Sequence, residues 1–113
     1  MYKITKTIEI SAAHRLVLPY ESKCKAEHGH NYLITVELRS QDLNTEGMIG
    51  DFSHVAEIVN KYDHSLLNDF FSQPTAELIA HELWRQIDEK YPGKCRRVVV
   101  QEDRDNVAEY VQD

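Results

Sequence analysis

The stretch HGHNYLITVELR, residues 28–39, constrains the fold of this chain more than any other. Over residues 31–39, Tyr32, Ile34, Val36 and Leu38 alternate with Leu33, Thr35, Glu37 and Arg39, the period-two pattern of a strand with one buried face. Lys3–Ile10 carries the same pattern, with Ile4, Ile8 and Ile10 on one parity and Lys3, Thr5, Thr7 and Glu9 on the other. The two segments are expected to be arms of one antiparallel hairpin, joined by a long loop from about Arg15 to Glu27.

Beyond the hairpin, glycine punctuation and a cap at Asp51 or Ser53 precede Val55, Ile58, Val59 and Tyr62, spaced for one face of a short helix. Thr75 can cap a second helix, whose stripe is Ala76, Ile79, Ala80, Leu83 and Ile87 and which ends before Pro92-Gly93. A strand over Arg96–Glu102 and a weaker one over Val107–Val111 flank the polar turn DRDN. The order ββααββ predicts an α+β domain over residues 1–113, with a four-stranded antiparallel sheet and both helices on one face.

The chain has 113 residues, 42% hydrophobic and 28% charged, the composition of a soluble globular protein. It is short for building a deep cleft alone, so self-association is expected. A formal net charge of −6 offers no basic field for nucleic acid, which is not expected as a partner. No run of about 18 apolar residues suggests a membrane span, and MYKITKTIEI has no apolar leader segment, so a cytoplasmic location is the default expectation.

Strand geometry gives the histidines meaning. His28 and His30 in an extended HGH project to the same side, about 7 Å apart at their backbones. Gly29 is read as leaving room for close approach. His14 ends the first arm, so antiparallel pairing brings a third imidazole to the same hairpin mouth. Three neutral imidazoles with an open fourth position suit a catalytic zinc ion; the plainer reading is hydrogen-bonded or exposed side chains.

Cys24, between Lys23 and Lys25, lies four residues before His28. It is a candidate thiolate base or nucleophile, a fourth zinc ligand, or a small buried hydrophobe. Cys95 has no such company and reads as structural. Asp63-His64 is a candidate proton relay, though such dipeptides are common in loops. Glu102 shares the parity of Val98 and Val100, so its carboxylate either binds something specific or sits at the solvent edge. Thr75 and Glu77 read first as helix-start residues, and His54 and His81 as surface residues.

The motifs SAAHRL, CKAEHGHNY, GMIGDFSHV, YDHSLLND, PTAE and VVVQED, in this order over nearly the whole chain, resemble the 6-pyruvoyltetrahydropterin synthase family. The short Cys-x-x-x-His-Gly-His spacing is similar to that of its 6-carboxytetrahydropterin synthases (QueD). The resemblance implies a tunnelling fold whose subunits close a barrel, assembling as trimers and then hexamers. It implies zinc on His14, His28 and His30, Cys24 as proton-handling thiolate, and Asp63 with His64 as a second proton-transfer pair serving an adjacent subunit. It also implies Glu102 as anchor of the pterin ring and Thr75 as a pocket-lining residue. The implied reaction converts 7,8-dihydroneopterin triphosphate to 6-carboxytetrahydropterin, acetaldehyde and triphosphate, on the route to queuosine. Arg15, Lys23 and Lys25 are candidate phosphate contacts. Ala56 and Asp103 depart from the family pattern, and Asp103 adds negative charge beside the pterin anchor. A pyruvoyl-forming synthase and a non-catalytic or diverged pterin-binding zinc protein of the same fold are the rival readings.

Overall fold

The computed structural model describes residues 1–112. Strands β1 (Tyr2–His14) and β2 (His28–Ser40) pair antiparallel along their full lengths, from Tyr2 opposite Ser40 to His14 opposite His28. Both run further than the apolar alternation shows, because Ser11, Ala12 and Ala13 carry little hydrophobic signal yet stay hydrogen-bonded. The expected long loop spans 15–27 and contains one 3-10 turn, Lys23–Lys25.

Helix α1 (Phe52–Asn60) starts at Asp51, whose carboxylate accepts from the Ser53 N–H at 2.8 Å. It buries Val55 and Val59, while Tyr62 packs from the turn that follows. Helix α2 (Ala76–Lys90) buries the whole predicted stripe, Ala76, Ile79, Ala80, Leu83 and Ile87. Thr75 caps it by accepting from the Leu78 N–H at 3.2 Å. Gly93, at φ 77°, makes the left-handed turn that leads from α2 toward the next strand.

The sheet has five strands where the sequence suggested four. Between the helices, β3 (Ser65–Leu66) adds a parallel edge to β1, with Ser65 opposite Ala12 and Leu66 opposite Ala13. Two residues are too few to show a period, so this strand leaves no pattern in the sequence. Strands β4 (Cys95–Gln101) and β5 (Val107–Val111) complete the open order β3-β1-β2-β4-β5. Ile34 lies opposite Val100 and Leu33 opposite Gln101.

Paired residues in an antiparallel ladder point to the same face. The even-numbered residues Ile8, Ile10, Tyr32, Ile34, Val36, Leu38, Val98 and Val100 therefore share one face and form the core with α1 and α2. The opposite face carries no helix. There Glu37 is still only 5% exposed, enclosed by Arg39 (3.1 Å), Arg97 (3.4 Å) and Lys3 (4.0 Å). Among the described residues no helix is long and apolar enough to cross a membrane.

Cys95 is buried at the start of β4, where its carbonyl accepts from the Trp84 indole N–H of α2 at 2.9 Å. Burial first, then the nearby Asp88 and Glu37 carboxylates, push its thiol up to about 12. A raised pKa keeps the sulfur in its unreactive protonated form through mildly alkaline pH. Iodoacetamide labelling of the native protein at pH 8 is expected to leave Cys95 unmodified and to modify it once the chain is unfolded. Rapid labelling of Cys95 in the native state, read by peptide mass spectrometry, would contradict this placement.

Candidate metal centre

The parity that builds the core also builds a polar cluster at its open end. His14 faces His28 across the β1–β2 ladder, and His30 pairs with Ala12 one step inward on the same face. Their rings meet nearly edge to face, with centroids 4.6 Å apart for His14–His28, 4.9 Å for His28–His30 and 5.1 Å for His14–His30. Tyr32, two residues further along β2, lies beneath them, its ring 5.5 Å from His30 and 5.9 Å from His14. Gly29 is not where the backbones crowd: an added Cβ would meet the Ala12 carbonyl oxygen at an ordinary 3.6 Å.

Glu102 arrives from the other side. It follows β4 by one residue, and continuing the β2–β4 register sets it level with Tyr32 on the core face. Its own N–H donates to the Asn106 carbonyl at 3.0 Å. The neighbouring Asp103 organises that turn, accepting from the Asp105 and Asn106 N–H groups at 3.0 and 2.9 Å. The Asp103 charge is therefore used in a turn, its carboxyl held below the usual range first by the Asn106 side-chain amide. One ligand atom from each of His14, His28, His30 and Glu102 lies within 4.8 Å of the others.

Hydrogen bonds fix the chemistry these atoms present. His14 Nδ1 is 2.8 Å from the Pro74 carbonyl oxygen and His28 Nδ1 is 2.8 Å from the Ala26 carbonyl oxygen. A carbonyl only accepts, so each Nδ1 carries the proton and each neutral ring presents the lone pair of Nε2. These two Nε2 atoms sit 3.0 Å apart. Lone pairs at that separation repel unless a metal ion or a proton shared by the two rings lies between them. His30 Nε2 is 3.0 Å from Glu102 Oε1, yet this contact lacks hydrogen-bond geometry and leaves the buried nitrogen without a partner among the described residues. Burial, assisted by His14 and His28 and opposed by Glu102, holds the His30 imidazolium below the ordinary histidine range. The neutral ligand form is thereby favoured. Neutral imidazoles oriented by backbone carbonyls, with a carboxylate, are a donor set that fits a zinc ion.

The other candidates sit apart from this cluster. Cys24 lies half-buried in the 3-10 turn, its N–H donating to Ser22 Oγ at 3.1 Å and its carbonyl accepting from the Leu16 N–H at 2.8 Å. Its sulfur is outside the convergent donor set, where the fourth donor is the Glu102 carboxylate. Asp63 accepts from the Ser11 N–H at 2.8 Å and lies 3.0 Å from His64 Nδ1. The Ser11 N–H, then His64, lowers its carboxyl pKa. His64, at φ 59°, is largely exposed beside a shallow hollow of about 390 Å³ shared with Ser11, Ala13 and Asn31. Ser11, Ala13 and Asn31 belong to the sheet face that lacks helices, and His30 also borders the hollow. Arg15 is 4.0 Å from Glu27 and Lys25 3.6 Å from Glu21, so two of the three candidate phosphate cations lie beside carboxylates.

Two side-chain amides hold the cluster's loop in place. Asn68 accepts from the Arg15 N–H at 2.9 Å and donates to its carbonyl at 3.0 Å. Gln73 does the same for Val17, both at 2.9 Å. Each amide thus substitutes for a neighbouring strand just past His14. No sequence pattern announces such pairs, because Asn and Gln in a polar loop are ordinary. With each bond worth about 1 kcal/mol net, Asn68→Ala and Gln73→Ala should speed amide exchange at Arg15 and Val17 by roughly fivefold. Exchange at Ile34 should be unchanged by either substitution. Unaltered exchange at Arg15 and Val17 would show that the clamp does not hold the loop.

The family model described as 6-pyruvoyl tetrahydropterin synthase matches residues 3–113. A protein of Archaeoglobus fulgidus, provisionally named 6-carboxy-5,6,7,8-tetrahydropterin synthase, is 40% identical over 103 residues, covering 88% of this chain and 86% of its own length. A Pyrococcus horikoshii protein with the same provisional name is 52% identical over 65 residues, covering 58% of this chain and 41% of its own. The match thus spans less than half of that relative. The solved 6-pyruvoyl tetrahydropterin synthase of Caenorhabditis elegans superposes with a TM-score of 0.81 at 25% identity, covering 99% of this chain and 96% of the other. With the match running from residue 3 to residue 113, the chain belongs to the 6-pyruvoyl tetrahydropterin synthase family.

Proposed function

We propose that the chain is a zinc-dependent 6-carboxy-5,6,7,8-tetrahydropterin synthase. In this reading, 7,8-dihydroneopterin triphosphate and water yield 6-carboxytetrahydropterin, acetaldehyde and triphosphate. The observation that carries the metal part is the convergence of the His14 and His28 Nε2 lone pairs beside the unpartnered His30 Nε2. The archaeal relatives and the short Cys24-to-His28 spacing support the carboxy product.

His14, His28 and His30 would hold the ion. When bound, zinc supplies Lewis-acid polarisation of the substrate's side-chain oxygens. Cys24 serves as the thiolate that takes a carbon-bound proton, positioned by the 3-10 turn beside the hairpin mouth. Asp63 holds His64 by its Nδ1, leaving Nε2 to pass protons during triphosphate loss and carbon-carbon cleavage. Glu102, an acceptor-only group, takes the amino and ring N–H donors of the pterin. Thr75 lines the pocket from the α2 start, next to the Pro74 carbonyl that orients His14.

The chain acts as a single tunnelling-fold domain in a cytoplasmic homo-oligomer, a hexamer built from two trimers. The helix-free sheet face and the open β5 edge support this, since closing a barrel with neighbouring copies would cover both. Asp63 and His64 lie outside the convergent donor set, which favours their service to a neighbouring subunit. The pathway is queuosine synthesis, in which the pterin product feeds the 7-deazaguanine core.

The structural likeness to the Caenorhabditis elegans enzyme favours a second reading, a pyruvoyl-forming synthase with the same ligands. Zinc-loaded protein incubated with dihydroneopterin triphosphate is expected to release acetaldehyde and 6-carboxytetrahydropterin. Cys24→Ala is expected to lower turnover by about 10²- to 10⁴-fold, the usual effect of losing a positioned base. A pyruvoyl pterin without acetaldehyde would overturn the carboxy assignment, and full turnover by the Cys24 variant would overturn the role of the thiol.

A further inference from the structure

We infer that Glu102 is itself a metal ligand, filling the fourth position beside the three imidazoles until an incoming molecule displaces it. This rests on the metal reading proposed above.

The first argument is spacing. Zinc bonds of about 2.0–2.1 Å in a tetrahedron separate neighbouring donor atoms by about 3.3 Å. Three of the six donor separations lie close to that value, 3.0 Å for His14 Nε2–His28 Nε2, 3.0 Å for His30 Nε2–Glu102 Oε1 and 3.7 Å for His14 Nε2–Glu102 Oε1, and all six are within 4.8 Å. Glu102 Oε1 thus stands within reach of the fourth corner. A carboxylate placed only to take ring donors from a larger guest has no reason to approach two imidazole nitrogens this closely.

The second argument is electrostatic. Facing the lone pairs of His14 and His28, a carboxylate is repelled, and its 3.0 Å contact with His30 does not have hydrogen-bond geometry. A divalent ion converts that repulsion into attraction, and the carboxylate in turn halves the charge left by three neutral ligands.

The third argument is release. His14 is 1% exposed by side chain and tied to the Pro74 carbonyl, whereas the Glu102 side chain is 23% exposed and grows from the first residue beyond β4. Among the described residues its carboxylate has close polar contacts only with His14 and His30. It moves more cheaply than the buried His14, and once displaced it is free to accept from the N–H groups of the molecule that displaced it. One carboxylate would then couple opening of the metal to recognition of the guest.

The test uses metal-stripped full-length wild type and Glu102→Gln, titrated with cobalt(II) and zinc, then with imidazole as a neutral probe of the fourth position. Wild type is expected to bind one cobalt per chain with a tetrahedral visible spectrum. The variant is expected to bind one cobalt at least about tenfold more weakly, with a changed spectrum. Imidazole should perturb the variant's cobalt spectrum at tenfold or more lower concentration than the wild type's. Circular dichroism of the metal-free proteins, and full occupancy of the variant at saturating cobalt, separate ligand loss from misfolding. Identical affinity, spectrum and imidazole response in the two proteins would overturn the inference alone. Absence of cobalt and zinc binding by wild type would overturn both this inference and the metal reading beneath it.

Discussion

The register of one hairpin governs this molecule. Thirteen residues of β1 face thirteen of β2, and the pairing of His14 with His28 at one end follows from the pairing of Ile8 with Ile34 in the middle. A slip of one residue would turn Tyr32, Ile34, Val36 and Leu38 outward. Burying each such side chain is worth about 1.5–3 kcal/mol, so the hydrophobic set holds the register far more firmly than the imidazoles could disturb it. The apolar face therefore sets the geometry of the imidazole cluster, and that cluster is the end of the same row of side chains.

Placing acceptors together costs free energy, and the fold meets that cost with fixed backbone groups. The Pro74 carbonyl reaches His14 from the entry to α2, and the Ala26 carbonyl reaches His28 from the loop, so two different elements orient two rings. Asn68 and Gln73 keep the chain after His14 from drifting. The Asp103 turn holds the segment that carries Glu102. Two supports hold imidazoles directly and the others hold the segments around the cluster, which leaves the His14 and His28 Nε2 atoms turned toward each other.

Much of this was legible because it depends on local periodicity. Parity alone places His28 and His30 on one face, and the hairpin brings His14 beside them. The caps at Asp51 and Thr75 and the α2 stripe are equally local. What escaped depends on pairing between distant segments. The approach of Glu102 to the imidazoles follows from the β2–β4 register, and its parity signals only that it faces the core side. Strand β3 is too short to alternate. Tyr32 reads as one more apolar residue, and nothing in SLLNDFFSQP marks its amides as substitutes for a strand. The close approach expected at Gly29 is absent because the neighbouring ladder there has ordinary spacing.

The account stands on three imidazoles at the hairpin mouth acting as one metal site. Elemental analysis of zinc-loaded, exhaustively dialysed protein tests this directly, with wild type set beside a folded His28→Ala variant. The account requires one zinc per chain in wild type and a loss of most of it in the variant. Undiminished zinc in the variant, or none in wild type, would contradict it.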